Sequence, residues 1–208
     1  MTLQIRPENP SGNGWNSHSH GKRKERADNL CGIMKKRLQY PINITQPNAK
    51  IAQYIMSQYG GPDGEIGASL RYLSQRFTMP NRTTSALLND IGTEELSHLE
   101  MVSTIVHQLT RDLSMEEIEK SGFGPYYIDH TVGVWPQAAG GVPFNACEFQ
   151  SKGDPITDLF EDLAAEQKAR STYDNILRVV RNIPEIADPI KFLRAREVVI
   201  SRVWGSSS

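Results

Sequence analysis

An all-α chain, folded as a bundle of four long helices with one long crossover connection, is the architecture this sequence predicts. Three observations lead there. Apolar residues recur at helical spacing over most of the chain beyond Met34. Caps, glycines and prolines cut that periodic stretch into segments of helical length. The one region without a period, residues 123–150, falls between the second and third long segments, where a crossover would run.

Residues 1–33, MTLQIRPENPSGNGWNSHSHGKRKERADNLCGI, scatter Gly, Pro, Ser and Asn among charges and read as a flexible polar tail. His18, His20 and the basic run from Lys22 to Arg26 offer contact to a metal or an anionic surface, a solvated tail being the simpler reading. Met34 opens a natural start for the folded unit, expected over residues 34–203. Residues 47–60 carry Ile51, Ile55 and Met56 at helical spacing, and Gly60-Gly61-Pro62 stops them. The first bundle helix is expected over 63–77, before Pro80, and the second over 83–111, with no break stronger than Gly92. Ser114 with Glu117 makes a capping box for a short helix ending near Gly122. In 123–150, Tyr126, Tyr127, Trp135 and Phe144 crowd an irregular insertion, with core lining and subunit contact equally open for them. Asp154-Pro155 starts the third bundle helix, to about 181, and Asp188-Pro189 repeats the device for the fourth, over 189–203. Residues 204–208 form a short tail.

Composition excludes several classes. Of 208 residues, 38% are apolar, and 23 Lys and Arg face 24 Asp and Glu. A formal charge of −1 gives no support to nucleic-acid binding. The mean hydropathy of −0.47 fits a soluble globular protein, and no apolar run of about 18 residues would span a membrane. The N-terminus lacks a secretory signal. Cys31 and Cys147 form neither a disulfide framework nor a metal knuckle, so a reducing compartment is expected.

The buried stripes carry the chemistry. Leu88, Ile91, Glu95, His98, Val102, Ile105 and Leu109 form one seam with alternating spacings of three and four residues. A carboxylate buried there costs several kcal/mol without a partner, on the order of what breaking a buried ion pair costs. Glu95 and His98 project to the same side and could bind a common cation. Ile156, Leu159, Leu163, Glu166, Tyr173, Ile176 and Val180 repeat the design on the third helix. Glu65 shares a face with Ser69 and Tyr72, and the last helix aligns Ile190, Leu193, Glu197, Ile200 and Trp204. Each acid has a bland account alone: Glu65 as a first-turn carboxylate on the helix dipole, Glu166 paired with Lys168 or Arg170, His98 as a satisfied core histidine. Jointly they follow the dinuclear carboxylate pattern Glu, Glu-x-x-His, Glu, Glu-x-x-His, except that the last position is Ile200.

The segments KKRLQYPI, QYGGPDGEIGASLRYLSQRF, LLNDIGTEELSHLEM, GVPFNACEFQSKGDPITDLFEDLAAEQKAR and FLRAREVV resemble the manganese catalases, and among them the short spore-coat type of spore-forming bacteria. The resemblance covers roughly residues 34–200 and implies a ferritin-like four-helix bundle holding two manganese ions. It implies Glu65 as a terminal carboxylate and His98 as an imidazole on one ion, Glu95 as the bridge, and Glu166 as the terminal carboxylate of the second. It further implies Tyr72 as an outer-sphere tyrosine and Glu197 as an outer-sphere acid that moves protons. The family's second histidine stands where this chain has Ile200, and SRVWGSSS does not resemble the family's continuation. His107 and His130 fall at no spacing that predicts rescue.

Oxygen and imidazole ligands suit manganese or iron. The implied activity is disproportionation of hydrogen peroxide to water and dioxygen, impaired by the missing ligand, in a self-associating protein of the cytoplasm or the spore coat. The alternatives are a structural component of the coat, in contact with other coat proteins, and a ferritin-like iron-binding protein.

Overall fold

The structure is a computed structural model that describes residues 37–126, 133–148 and 151–206, the last four without their side chains. Leu38–Ser208 form one compact unit. The tail expected over 1–33, together with His130, Tyr127 and the Trp204 side chain, lies outside what is described.

Among the described residues six α-helices follow in order: α1 (Ala49–Gly60), α2 (Glu65–Gln75), α3 (Arg82–Thr110), α4 (Met115–Ser121), α5 (Pro155–Val180) and α6 (Pro184–Ser206). The fold is all-α, and α2, α3, α5 and α6 are its four main packed helices, with the long crossover between α3 and α5. Side chains fix the starts. Asn48 Oδ1 accepts from Ile51 N at 3.0 Å and Asn81 Oδ1 from Thr84 N at 2.9 Å. Asp154 Oδ1 accepts from Thr157 N at 2.8 Å ahead of Pro155. Ser114 and Glu117 form the expected capping box.

Two departures are instructive. The last helix begins at Pro184, five residues before the Asp188-Pro189 device, and carries Pro189 inside it. Pro184 already supplies the preset φ of a first helical residue. Ile183 O accepts from Ile186 N and Ala187 N, and burial of Ile186, Ala187, Ile190 and Leu193 repays the N–H that Pro189 lacks. On α5 the expected stripe fails at its start. Ile156 is 70% exposed, and Asp158 and Asp162 are buried instead. Asp158 accepts from Lys152 N at 2.7 Å and Gly153 N at 3.0 Å, closing the helix entry, while Asp162 accepts from Gln75 Nε2 at 3.0 Å. Local hydrogen bonding turned the polar side inward there.

Apolar packing divides along α3. The larger cluster gathers α1, the C-terminal half of α3 (Met101, Val102, Ile105, Leu109), the end of α5 and the start of α6. The smaller one consists of Tyr72, Leu88, Ile91 and Ile200. Between them α2 and α3 approach closely at Gly92. A Cβ there would meet Leu73 Cγ at 2.8 Å, and Ser69 Oγ donates to Gly92 O at 2.8 Å across the same gap. An extended strap ties the larger cluster's end: Gln108 pairs with Ile44 N and Ile42 O, Arg111 Nη2 donates to Ile44 O, and Thr45 binds Glu185.

The described part of the crossover is irregular, with 3-10 turns at Gly124–Tyr126, Ala139–Gly141 and Ala146–Glu148. Tyr126 is buried and stacks on Phe123, whereas Trp135 is 54% exposed. The loop crosses α1 at Gly60, where a Cβ would strike Gln137 N at 2.2 Å. Among the described residues no helix is long and apolar enough to cross a membrane.

Candidate metal centre

All seven seam residues of α3 from Leu88 to Leu109 are buried, so Glu95 and His98 face the bundle axis at the gap between the two apolar clusters. The close approach at Gly92, one turn earlier, draws α2 in and sets Glu65 beside them. Ligand atoms of Glu65, Glu95, His98 and Glu197 all lie within 4.8 Å of one another, on three helices. Each of the four residues is 3% exposed or less. His98 directs Nδ1 into the group, 2.9 Å from Glu95 Oε2 and 3.7 Å from Glu65 Oε2.

Glu166 borders this group. It is buried, and the Tyr72 hydroxyl donates to its Oε1. Its carboxyl and that of Glu197 are close enough to share a proton. The surface pairing with Lys168 or Arg170 does not occur: Lys168 reaches Asp63 and Glu161, and Arg170 reaches Asp174. Ile200 is 2% exposed and packs with Tyr72, Leu88 and Ile91. His107 lies on the exposed side of α3.

Several neighbours escaped the sequence reading as site residues. Tyr173 donates its hydroxyl to Glu65 Oε1, as Tyr72 does to Glu166. Its stripe position seven residues after Glu166 was the available signal. Glu94 lies behind His98, with Oε1 3.5 Å from Nε2, and Arg196 grips Glu94 through two bonds of 2.6 and 3.0 Å. Charged residues next to the cluster acids in sequence read as solvated, so nothing marked these two. Asp162 and Arg71, both buried, were missed because neither falls on an apolar period.

The electrostatics call for a cation. Burial pushes the Glu95 carboxyl well above the usual range, against the pull of His98, with Glu65 and Glu166 adding repulsion. Burial and the charges of Glu166, Glu65 and Glu95 do the same to Glu197. Glu166 is driven up to about 7 by burial, against bonds from Glu197 and Tyr72. Glu65 alone is held below its usual value: burial raises it, but His98, Glu95 and Tyr173 outweigh that. Burial lowers the His98 imidazole, yet the charge of Glu95, its hydrogen bond and the nearby carboxylates of Glu65 and Glu94 hold it well up. Four carboxylates cannot all ionise here on protein interactions alone. Glu95 Oε1, Glu166 Oε2 and Glu197 Oε1 are buried without a hydrogen-bond partner. Such atoms are costly unless something else satisfies them. Oxygen donors with one imidazole and no thiolate fit a manganese or iron ion. A cavity of about 10 Å³, enough for one water-sized molecule, adjoins the group and is lined by Glu65, Ala68, Arg71, Tyr72, Glu166 and Glu197 among others.

Comparison with known proteins agrees with this chemistry. A family model described as manganese containing catalase matches residues 33–207. Protein CotJC of Bacillus subtilis is 47% identical over 169 residues, which is 81% of this chain and 88% of that protein. A probable manganese catalase of Clostridium acetobutylicum is 31% identical over 165 residues, 75% of this chain and 69% of the relative. The crystal structure of KatB, a manganese catalase from Anabaena, superposes with a TM-score of 0.76 at 27% identity, covering 85% of this chain and 79% of that one. With a family match over most of its length, a relative 47% identical and the fold shared with KatB, the chain belongs to the manganese-containing catalase family.

Proposed function

We propose that the chain disproportionates hydrogen peroxide to water and dioxygen on a centre of two manganese ions, with turnover reduced by the absence of an imidazole at position 200. The observation that carries this reading is the buried convergence of Glu65, Glu95, His98 and Glu197 with carboxylate oxygens left unpartnered. Glu65, Glu95, His98 and Glu166 are the residues that would hold the metal. Manganese, when bound, supplies the two-electron redox capacity by which one peroxide is reduced and the next oxidised.

The protein's own part is selection, orientation and proton handling. The small cavity beside Glu166 and Glu197 limits entry to molecules of a few atoms. Tyr72 and Tyr173, whose hydroxyls burial and the adjacent carboxylates keep protonated, orient Glu166 and Glu65 as fixed donors. Both half-reactions need a proton moved next to the cluster, and in the family pattern Glu197 is the acid placed to move it.

The test is manganese content measured alongside dioxygen evolution from peroxide. Manganese-loaded protein should release dioxygen, and Ile200→His should increase turnover. Protein that takes up no manganese and evolves no dioxygen would sink the reading. Preferential uptake of iron would point to a ferritin-like role instead.

A second reading is favoured by the likeness to protein CotJC: residence in the spore coat, where the bundle serves as an assembly component beside other coat proteins and further copies of itself. Ile200 fits that reading, since packing in a coat does not require a complete metal centre. Fractionation of spores followed by detection of the chain in the coat layer tests it.

A further inference from the structure

We infer that Glu197 is itself a metal ligand in this chain, taking the place of the imidazole that Ile200 cannot provide. This rests on the manganese-centre reading above and reassigns one of its residues.

Position 200 supplies no donor atom. Its side chain is 2% exposed and sits in hydrocarbon with Tyr72, Leu88 and Ile91. His98 and His107 are the histidines among the described residues, and His107 faces outward. Three residues earlier on α6, Glu197 lies on the same face, one helical turn from the lost donor. Its ligand atom stands within 4.8 Å of those of Glu65, Glu95 and His98.

The hydrogen bonds single out the same residue. Glu65 receives a phenol hydrogen from Tyr173, and Glu166 receives one from Tyr72. Glu95 is bonded by His98. Glu197 receives neither a phenol nor a cationic donor, meets only the Glu166 carboxyl, and keeps Oε1 buried and unpartnered. Glu95 Oε1 and Glu166 Oε2 are unpartnered as well, but each of those carboxylates is held by a donor at its other oxygen, and Glu197 is not.

Charge balance supports the exchange. Glu65, Glu95, Glu166 and Glu197 together carry four negative charges, which two divalent ions cancel with His98 neutral. Exchanging an imidazole for this carboxylate therefore gives a neutral buried centre in the divalent state. It also withdraws from proton movement the acid that the family pattern assigns to it, because a carboxylate bound to metal is a poor base.

A double-mutant cycle on manganese affinity decides the matter. Glu197→Gln is made in the natural chain and in the Ile200→His background, and manganese is titrated into each metal-stripped full-length protein by calorimetry. Expected is a loss of about a hundredfold or more in the natural chain and a much smaller loss where the imidazole is restored, since loss of a merely supporting residue costs about 10–100-fold. Equal losses in both backgrounds, or none, would return Glu197 to an outer-sphere role and overturn the assignment. Melting of the metal-stripped proteins supplies a second readout. A ligand freed of its charge should leave Glu197→Gln at least as stable as the parent, and a lower melting temperature would assign the side chain a structural bond and refute the proposal. If the natural chain binds no manganese at all, the catalase reading itself falls; if it binds and the cycle shows no coupling, only the reassignment falls.

Discussion

Arg196 on α6 holds Glu94 on α3 through two bonds, 2.6 Å from Nε to Oε1 and 3.0 Å from Nη2 to Oε2. Each partner is the sequence neighbour of a cluster acid, Glu197 and Glu95. Glu94 also lies behind the His98 ring, and the contact with His98, together with Arg196, lowers its carboxyl to about 2. A carboxylate on the far nitrogen of a ligating imidazole fixes which nitrogen faces the ion and how the ring is turned.

Arg196→Ala should therefore weaken manganese binding by about 10–100-fold. Arg196→Lys should restore only part of it, because an ammonium cannot make the paired bond. Titration of manganese into the metal-stripped variants checks both.

Tyr173→Phe removes the phenol that Glu65 accepts from. A buried acceptor left without its donor costs about 1–3 kcal/mol, so the melting temperature of the metal-stripped variant should fall. Tyr72→Phe should act likewise through Glu166. Thermal melts of the two variants and the parent give the comparison.

Metal-stripped protein should lose stability as pH rises from about 5 toward 8. Asp162 is raised to about 8 and Glu166 to about 7, both first by burial, and Glu95 and Glu197 also lie well above their ordinary values. Between the unfolded and folded pKa values the folded chain holds more protons than the unfolded one, so unfolding becomes easier with each step up in pH. Manganese should reduce that slope by stabilising the ionised cluster carboxylates, leaving the part that Asp162 contributes. Melting curves at several pH values, with and without manganese, read the sign directly.

Gly92→Ala should cost about 1–3 kcal/mol through overpacking, because the added methyl meets Leu73 and the Leu73 backbone N at 3.2 Å limits retreat. The same displacement moves Glu65 away from Glu95, so manganese affinity should drop together with the melting temperature.

Much of this was legible in the chain. The α3 seam placed Glu95 and His98 on the buried face because a long, uninterrupted helix keeps its period. The caps at Asp154 and Ser114 were legible because each is closed by a partner three residues on, the Thr157 N–H and Glu117. Pro189 misled, since a local start signal was overridden by the burial of Ile186, Ala187, Ile190 and Leu193 in one continuous helix. Ile156 misled for the opposite reason: apolar spacing pointed inward, but Asp158 and Asp162 found donors there. Tyr173 and Arg196 act on the site across helices, and such partners depend on packing angles that no spacing along one helix encodes.

The two apolar clusters differ greatly in size, and the acid group lies where they meet. One side is reinforced by the strap at Ile42–Thr45 and many aliphatic contacts, while the other rests on Tyr72, Leu88, Ile91 and Ile200. Transient opening follows the thinner side first. An ion taken up by the acid group would accordingly be expected to exchange through the thinner side while the strapped half stays folded.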